Sequence, residues 1–378
     1  LRTAAGRAAK AASGEDKSYN AIRQVATRRE PNYAQKHGLA APVDVYPLYE
    51  NATRAAWGQS LEDAQFESAE IWSRFSEVAA ANEDAWIRKP ASPADILRID
   101  ERNRPIAFPY SKLMVANSSV NQGAGFIVAS LAEAWRRGIP EDRLIHVGMG
   151  AAAKEPASIL HRDRYDGSVS METSITRTLE LNGLTAGDFD FVELYSCFPC
   201  VPKMARRILG WPWDRPATVF GGLTFGGGPI ANYMSHAIVS MVDHLRVEGR
   251  YGFLFANGGF ATDNHCIVLG SKPVAAASFP QDFDYQAEAE AKRGAVPALV
   301  EDYTGAATIE TYTIFYGRDG APRAGVVVAR TPPGARTLAH VDVADAAMLA
   351  FLTDGTSEPV GTAGQIVALD TGYGWRAA

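Results

Sequence analysis

A chain of 378 residues, 47% of them hydrophobic and 21% charged, has room for two or three folded units, since single domains usually run to roughly 100–200 residues. Its 37 basic and 43 acidic residues leave a net charge of −6, and no long basic run or basic helical stripe offers the footprint that nucleic acid or an anionic membrane demands. No apolar stretch approaches the ~20 residues needed to cross a bilayer, and an odd number of cysteines, three, fits a reducing compartment better than a disulfide framework, so the expected location is cytoplasmic.

The opening LRTAAGRAAKAAS is basic, rich in small residues and free of acids. Some organelle transit peptides share that composition, but the lack of an initiator Met favours an exposed helix of a longer protein whose beginning lies upstream. Residues 14–115 alternate polar loops with helices. The clearest helix begins near Ser60, which with Asp63 forms an S-x-x-D start signal, and it carries Ile71, Trp72, Phe75, Val78 and Ala79 at helical spacing. Two prolines in RKPASPADILR, at 88–98, break that helix, which restarts after Ser92.

From residue 116 the texture changes to short apolar runs separated by glycines: GAGFIVAS, RLIHVGM, FDFVELY, YGFLFANGG and HCIVLG. Helices are expected between several of them, at 129–137, 168–182 and 231–248. Strands alternating with helices at this spacing predict an α/β layered core over 116–278. A polar linker is expected at 279–297. Residues 298–378 read as a separate small β-barrel, with strands on both sides of an Asp319-Gly320 turn and another pair in VGTAGQIVALDTGYGW.

Several motifs offer chemistry. Cys197 and Cys200 form a C-x-x-C, but a structural zinc needs four ligands and the other nearby soft ligands are only His265 and Cys266, so no metal is expected. HVGMGAAAKE, at 146–155, has a G-x-G-x-x-A skeleton, yet Pro156 follows too soon for the helix that should hold a pyrophosphate. The pattern G-x-S-x-G does not occur, which removes the usual nucleophile elbow. What remains are three turns at the ends of apolar runs: ELYSCFP, FGGLTFGGGPIANYMSHAI and FANGGFATDNHCIVLG. Glycine at this density lets backbone approach a ligand closely and lets N–H groups converge on an oxyanion. Together they read as one site.

In this order the three turns resemble those of the thiolase superfamily, enzymes that make or break carbon–carbon bonds beside a coenzyme A thioester. The family's N-E-A-F, G-H-P-x-G and C-x-G-G loops are matched by Tyr195-Ser196-Cys197-Phe198, Gly227-Gly228-Pro229-Ile230-Ala231 and Ala256-Asn257-Gly258-Gly259. ANSSVNQGAGFIVAS, at 116–130, looks like the strand that closes the first half of that fold. HGLAAPVDVYPLYENATRAAWGQS and FPYSKLMVAN look like its loop domain in the sterol-carrier branch. The C-terminal barrel resembles the extra OB-like domain of thiolase-like proteins type 1.

The resemblance implies a thiolase-like layered fold, with residues 1–115 completing a first half and carrying the helical loop domain, and it implies that ~100–130 residues of that half precede Leu1. Acyl-CoA is the implied substrate, with no separate cofactor. A homodimer, or a chain supplying the first half, is the partner it allows. The implied activity is acetyl-CoA acetyltransferase-like acyl transfer, with retro-aldol cleavage of a β-hydroxyacyl-CoA or non-catalytic binding of CoA esters, lipids or a partner as alternatives. The family's catalytic histidine and second cysteine fall on Gly228 and Ala256, neither of which transfers a proton. Tyr195, Cys197, Asn257 and His265 are therefore the candidate catalytic residues. Ser118, Ser119, Gly227, Gly228, Pro229, Gly258 and Gly259 are the candidate substrate-binding residues, and His236 and Cys200 are read as structural.

Overall fold

The structure is a computed structural model that describes residues 31–377; the helix expected at the extreme N-terminus lies outside the described residues. A short helix α1 (Tyr33–Lys36) leads into α2 (Pro42–Ala56) and α3 (Leu61–Ala81). Pro42 starts α2 at a position where its missing N–H costs nothing. Every residue of α2 from Val45 to Arg54 is buried, because the helix lies between the layered core and the barrel. The Leu48 carbonyl accepts from Thr311 Oγ1 at 2.6 Å, and Asn51 Nδ2 donates to the Tyr312 carbonyl at 2.9 Å. Helix α3 begins at the expected place: Ser60 Oγ caps the Asp63 amide at 3.1 Å. Its buried stripe includes Ile71, Trp72, Phe75 and Ala79. A new helix, α4 (Pro93–Leu97), starts behind a Ser92 cap.

Strands β1 (Pro105–Ala107) and β2 (Tyr110–Ser111) follow. Residues 123–130, expected as a strand, have no regular structure. Phe126, Ile127 and Val128 are 47%, 96% and 74% exposed. A strand exists only through a partner's N–H and C=O groups, and among the described residues none pairs with this segment. After α5 (Leu131–Arg136) come β3 (His146–Lys154), α6 (Val169–Asn182), β4 (Phe191–Leu194), α7 (Cys200–Leu209), α8 (Tyr233–Val247), β5 (Tyr251–Gly258) and β6 (Asp263–Gly270). They build a four-stranded sheet in the order β3-β6-β5-β4, with only the β5–β4 pair parallel. The G-x-G-x-x-A skeleton lies inside β3, so it forms no phosphate-binding turn.

The segment read as a linker is packed against the sheet. Ala152 exchanges backbone hydrogen bonds with Phe283 and Tyr285 at 2.6 and 2.9 Å, and α9 (Gln286–Lys292) buries Ala289. Its polar composition belongs to a half-exposed edge. Strands β7 (Gly305–Tyr316), β8 (Pro322–Arg330) and β9 (Arg336–Val341), helix α10 (Ala346–Thr353), and strands β10 (Ala363–Leu369) and β11 (Gly372–Ala377) complete the chain. The order β10-β11-β9-β8-β7 closes through a β10–β7 pair into the expected barrel, and β1 and β2 extend its sheet beyond β7. Closure leaves the five barrel strands without a free edge. Among the described residues no helix is long and apolar enough to cross a membrane.

Candidate functional site

The three glycine-rich turns meet at one end of the layered sheet, joined by residues 115–117 and by Tyr46. The Tyr195 amide donates to the Phe255 carbonyl at 3.1 Å, continuing the β4–β5 pairing into the first turn. The Cys197 carbonyl accepts from Ala116 N at 3.0 Å, and Gly228 N donates to the Asn117 carbonyl at 2.9 Å. Asn117 N in turn donates to the Leu223 carbonyl at 3.0 Å, and Ser196 Oγ accepts from Leu223 N at 3.2 Å. The first two turns are thus stitched to one extended segment.

A buried carboxylate shapes the second turn. Glu193 accepts from Thr218 Oγ1, Val219 N and the Tyr233 hydroxyl at 2.8, 2.9 and 2.6 Å. Thr218 Oγ1 collects the amides of Phe220, Gly221 and Gly222. Burial pushes the Glu193 carboxyl up to about 7 against those donors. Gly227 has φ 106°, a conformation that favours glycine, and a Cβ there would stand 2.1 Å from Gln122 Oε1, so that side chain would have to shift.

Tyr46, on α2, brings in the third turn. Its hydroxyl donates to Asn257 Oδ1 at 2.8 Å, with the Gly259 carbonyl at 3.1 Å, and accepts from Ala261 N at 3.0 Å. Its ring stacks on Phe198, the residue after Cys197, at 4.6 Å, and Cys200 Sγ donates to the Tyr46 carbonyl at 3.7 Å. Cys197, Gly228 and Gly259 therefore gather round one place. From there a buried polar chain runs inward. Asn257 Nδ2 donates to Asn264 Oδ1 at 2.9 Å, and Asn264 Nδ2 to Ser170 Oγ at 2.7 Å. Ser170 and Ser168 hydroxyls lie 3.2 Å apart, and Ser168 Oγ and Ser170 N donate to Glu155 Oε1 at 2.9 and 2.8 Å. Arg293 Nε, at 3.3 Å, closes the far end.

The candidate residues fare differently. Tyr195 is half-buried and meets Tyr233 edge-on at 5.6 Å; its hydroxyl makes no hydrogen bond among the described residues. Cys197 is buried, and burial pushes its thiol up to about 12 against a lesser downward pull from Tyr46. Asn257 sits at the centre of the chain. Gly227 and Gly228 are buried, Pro229 and Gly258 half-buried, and Gly259 exposed. Ser118 and Ser119 are exposed on the segment that follows Asn117, beside the second turn. His265 is not brought to this place. It alternates with buried Asn264 and Cys266 along β6 and is exposed on the opposite face, edge-on to Phe283 at 5.0 Å. His236 is buried against Phe220 at 5.0 Å and lines a cleft of about 350 Å³ with Asp84 and Gln122. Cys197, Cys200 and Cys266 are free thiols.

Sequence reasoning missed Tyr46, Asn264, Ser170 and Glu155. One of them left a trace: Asn257 and Asn264 flank a glycine turn symmetrically, so an antiparallel hairpin must pair them, and the register does. Tyr46, Ser170 and Glu155 come from α2, α6 and the end of β3, and nothing local links them.

The C-terminal region, residues 286–371, matches the model of the thiolase-like protein type 1 additional C-terminal domain. The structure is similar to the crystal structure of a monomeric SCP2-thiolase like protein type 1 from Mycobacterium smegmatis, at 30% identity and a TM-score of 0.78, covering 92% of this chain and 75% of that one. Human mitochondrial 3-ketoacyl-CoA thiolase is similar at 16% identity and a TM-score of 0.44, with 60% of this chain and 59% of that chain covered. An Ltp2-ChsH2(DUF35) aldolase is similar at 18% identity and a TM-score of 0.48, with 62% and 64% covered. Comparison with curated proteins gives no match. Identity and coverage against the mycobacterial protein, with the matched barrel, place the chain in a family: it belongs to the SCP2-thiolase like proteins type 1, within the thiolase superfamily.

Proposed function

We propose that the protein handles acyl-CoA, binding the thioester where the three turns meet and making or breaking the carbon–carbon bond beside it. The observation that carries this reading is the convergence of the three turns: Cys197 and Gly228 are hydrogen-bonded to Ala116 and Asn117, and Tyr46 is hydrogen-bonded to Gly259 and stacked on Phe198. Backbone N–H groups and neutral side-chain donors gathered in a water-poor place stabilise negative charge that develops on a thioester oxygen. Acetyltransferase-like acyl transfer is the form the family resemblance favours, and it requires a nucleophile beyond Gly228 and Ala256. The test is to offer the complete protein acetoacetyl-CoA with CoA, and to measure CoA binding by calorimetry. Binding with cleavage supports the full reading, binding without turnover supports a CoA-ester carrier, and no binding sinks it.

A second reading, retro-aldol cleavage of a β-hydroxyacyl-CoA, is favoured by Tyr195. Its hydroxyl is unengaged at the edge of the site, and burial raises its pKa well above the ordinary value, with Cys197 nearby adding to the shift. A neutral phenol of this kind donates a hydrogen bond to a substrate oxygen. Turnover of a β-hydroxyacyl-CoA but not of acetoacetyl-CoA selects this reading.

A further inference from the structure

We propose that Arg162 is a positioning residue through which the C-terminal barrel holds the third turn in shape: its guanidinium grips the turn on both sides of Ala261, and its backbone carbonyl is gripped by Arg336 of the barrel.

The turn between β5 and β6 needs holding. Ala261 is buried there at φ 57°, a left-handed conformation that a side chain disfavours and that persists only where the surroundings impose it. Arg162 Nη2 supplies the constraint, donating to the Phe260 carbonyl at 3.0 Å and to Thr262 Oγ1 at 2.8 Å, one residue to either side. Thr262 Oγ1 also accepts from Phe260 N at 3.2 Å, so one nitrogen closes a loop around Ala261. Ala261 N is thereby presented to the Tyr46 hydroxyl at 3.0 Å, the group that links this turn to the first. A planar guanidinium fixes its N–H directions in a way that a lysine ammonium does not.

Arg162 is itself fixed from the barrel. It lies on the segment joining β3 to α6 and is 1% exposed. Its carbonyl accepts from Arg336 Nη1 at 2.5 Å, and the Leu160 carbonyl accepts from the same nitrogen at 2.7 Å. Arg336, on β9, is wholly buried. Its Nε and Nη2 donate to Glu310 of β7 at 2.8 and 2.6 Å, and its guanidinium lies over the Tyr165 ring at 4.7 Å. Arg330 of β8 donates to Glu310 at 2.7 Å and to the Asp163 carbonyl at 3.2 Å. Three neighbouring barrel strands thus converge on residues 160–163, in a dry setting where charge-assisted hydrogen bonds are strong. The barrel sets where Arg162 stands, and Arg162 sets the shape of the turn.

What the turn is used for rests on the acyl-CoA reading, so the first measurement needs no ligand. It is amide hydrogen exchange, read by mass spectrometry, in a peptide covering residues 257–262, with a peptide covering β4 as reference. Among the described residues the Glu310 carboxylate is hydrogen-bonded to Arg330 and Arg336 and to no residue of the three turns. Glu310→Gln is nevertheless expected to speed exchange in the turn about fivefold, the equivalent of one weakened hydrogen bond, and to leave β4 unchanged. Arg162→Met keeps the backbone carbonyl and removes the guanidinium, and it is expected to speed exchange about tenfold. Adding Glu310→Gln to that variant should change nothing further, because the coupling passes through the missing group. No change with Glu310→Gln, an equal change in β4, or additive effects in the double variant would each overturn the proposal. Should Arg162→Met fail to fold, Glu310→Gln decides by itself. For a CoA ester that the wild type binds, Glu310→Gln is expected to weaken affinity about threefold at a temperature where both proteins are fully folded. Unchanged affinity beside a loosened turn would also overturn the proposal. A wild type that binds no CoA ester would sink the acyl-CoA reading, and the exchange result would still decide whether the barrel holds the turn.

Discussion

Lys203 and Glu50 form a salt bridge of 2.5 Å with both side chains almost wholly buried, 1% and 3% exposed. Lys203 Nζ also donates to the Ala64 carbonyl and Ser68 Oγ, both at 3.0 Å, and the Tyr110 hydroxyl donates to Glu50 at 2.7 Å. The pair ties α7, which begins just after Cys197 and Phe198, to α2, one turn beyond Tyr46. It thereby holds the first turn against the residue that links it to the third. Removing one partner leaves a buried unpaired charge, a loss of about 3–5 kcal/mol. Lys203→Met is expected to lower the denaturant midpoint by that equivalent, and a Lys203→Met, Glu50→Leu double variant to recover much of it. A single variant within 1 kcal/mol of wild type would show that the pair is not the clamp.

Glu193 makes stability depend on pH in a definite direction. Its carboxyl is raised by burial to about 7, so the folded state holds a proton that the unfolded chain, at about 4.3, has released. The stabilisation is fully present below about pH 4.3 and is lost as pH rises through about 7. At 1.36 kcal/mol per unit the loss is on the order of 3 kcal/mol. Thermal unfolding across pH 4 to 8 is expected to show this component in the wild type and not in Glu193→Gln. A variant with the same slope as wild type assigns the dependence elsewhere.

Gly227→Ala is expected to destabilise the second turn by about 1–3 kcal/mol, because alanine is strained at φ 106° and its methyl meets Gln122. A Gln122→Ala partner substitution relieves the contact and leaves the backbone strain, so it should recover only part. Differential calorimetry on the two variants measures this. Full recovery would place the whole cost in the side-chain clash.

Tyr195→Phe tests the second functional reading. If the phenol donates to a reacting oxygen, kcat on a β-hydroxyacyl-CoA should fall by about 100-fold or more while KM moves little. Equal turnover by the Phe variant removes Tyr195 from the chemistry.

Much of the architecture is written locally. The Ser60 cap and apolar stripe announce α3, the Asp319-Gly320 turn announces the β7–β8 hairpin, and alternating short apolar runs announce the layered sheet, because these signals depend only on neighbours three, four or two residues away. The glycine turns of the site were visible for the same reason. Residues 123–130 show where local pattern misleads: an apolar run with strand composition stays irregular where, among the described residues, no strand takes its hydrogen bonds. The role of Tyr46 was decided only by the fold, since a residue of α2 reaches Asn257, 211 positions away, through packing that no periodicity encodes. His265 was settled by the pleat, whose two-residue period turns Asn264 inward and its neighbour out. The chain's own order of residues thus determined which elements form and where glycine lets them turn. Which side chains meet at the turns, and in what protonation state, came from burial and from the direction of hydrogen bonds, both of which exist only once distant segments are packed together.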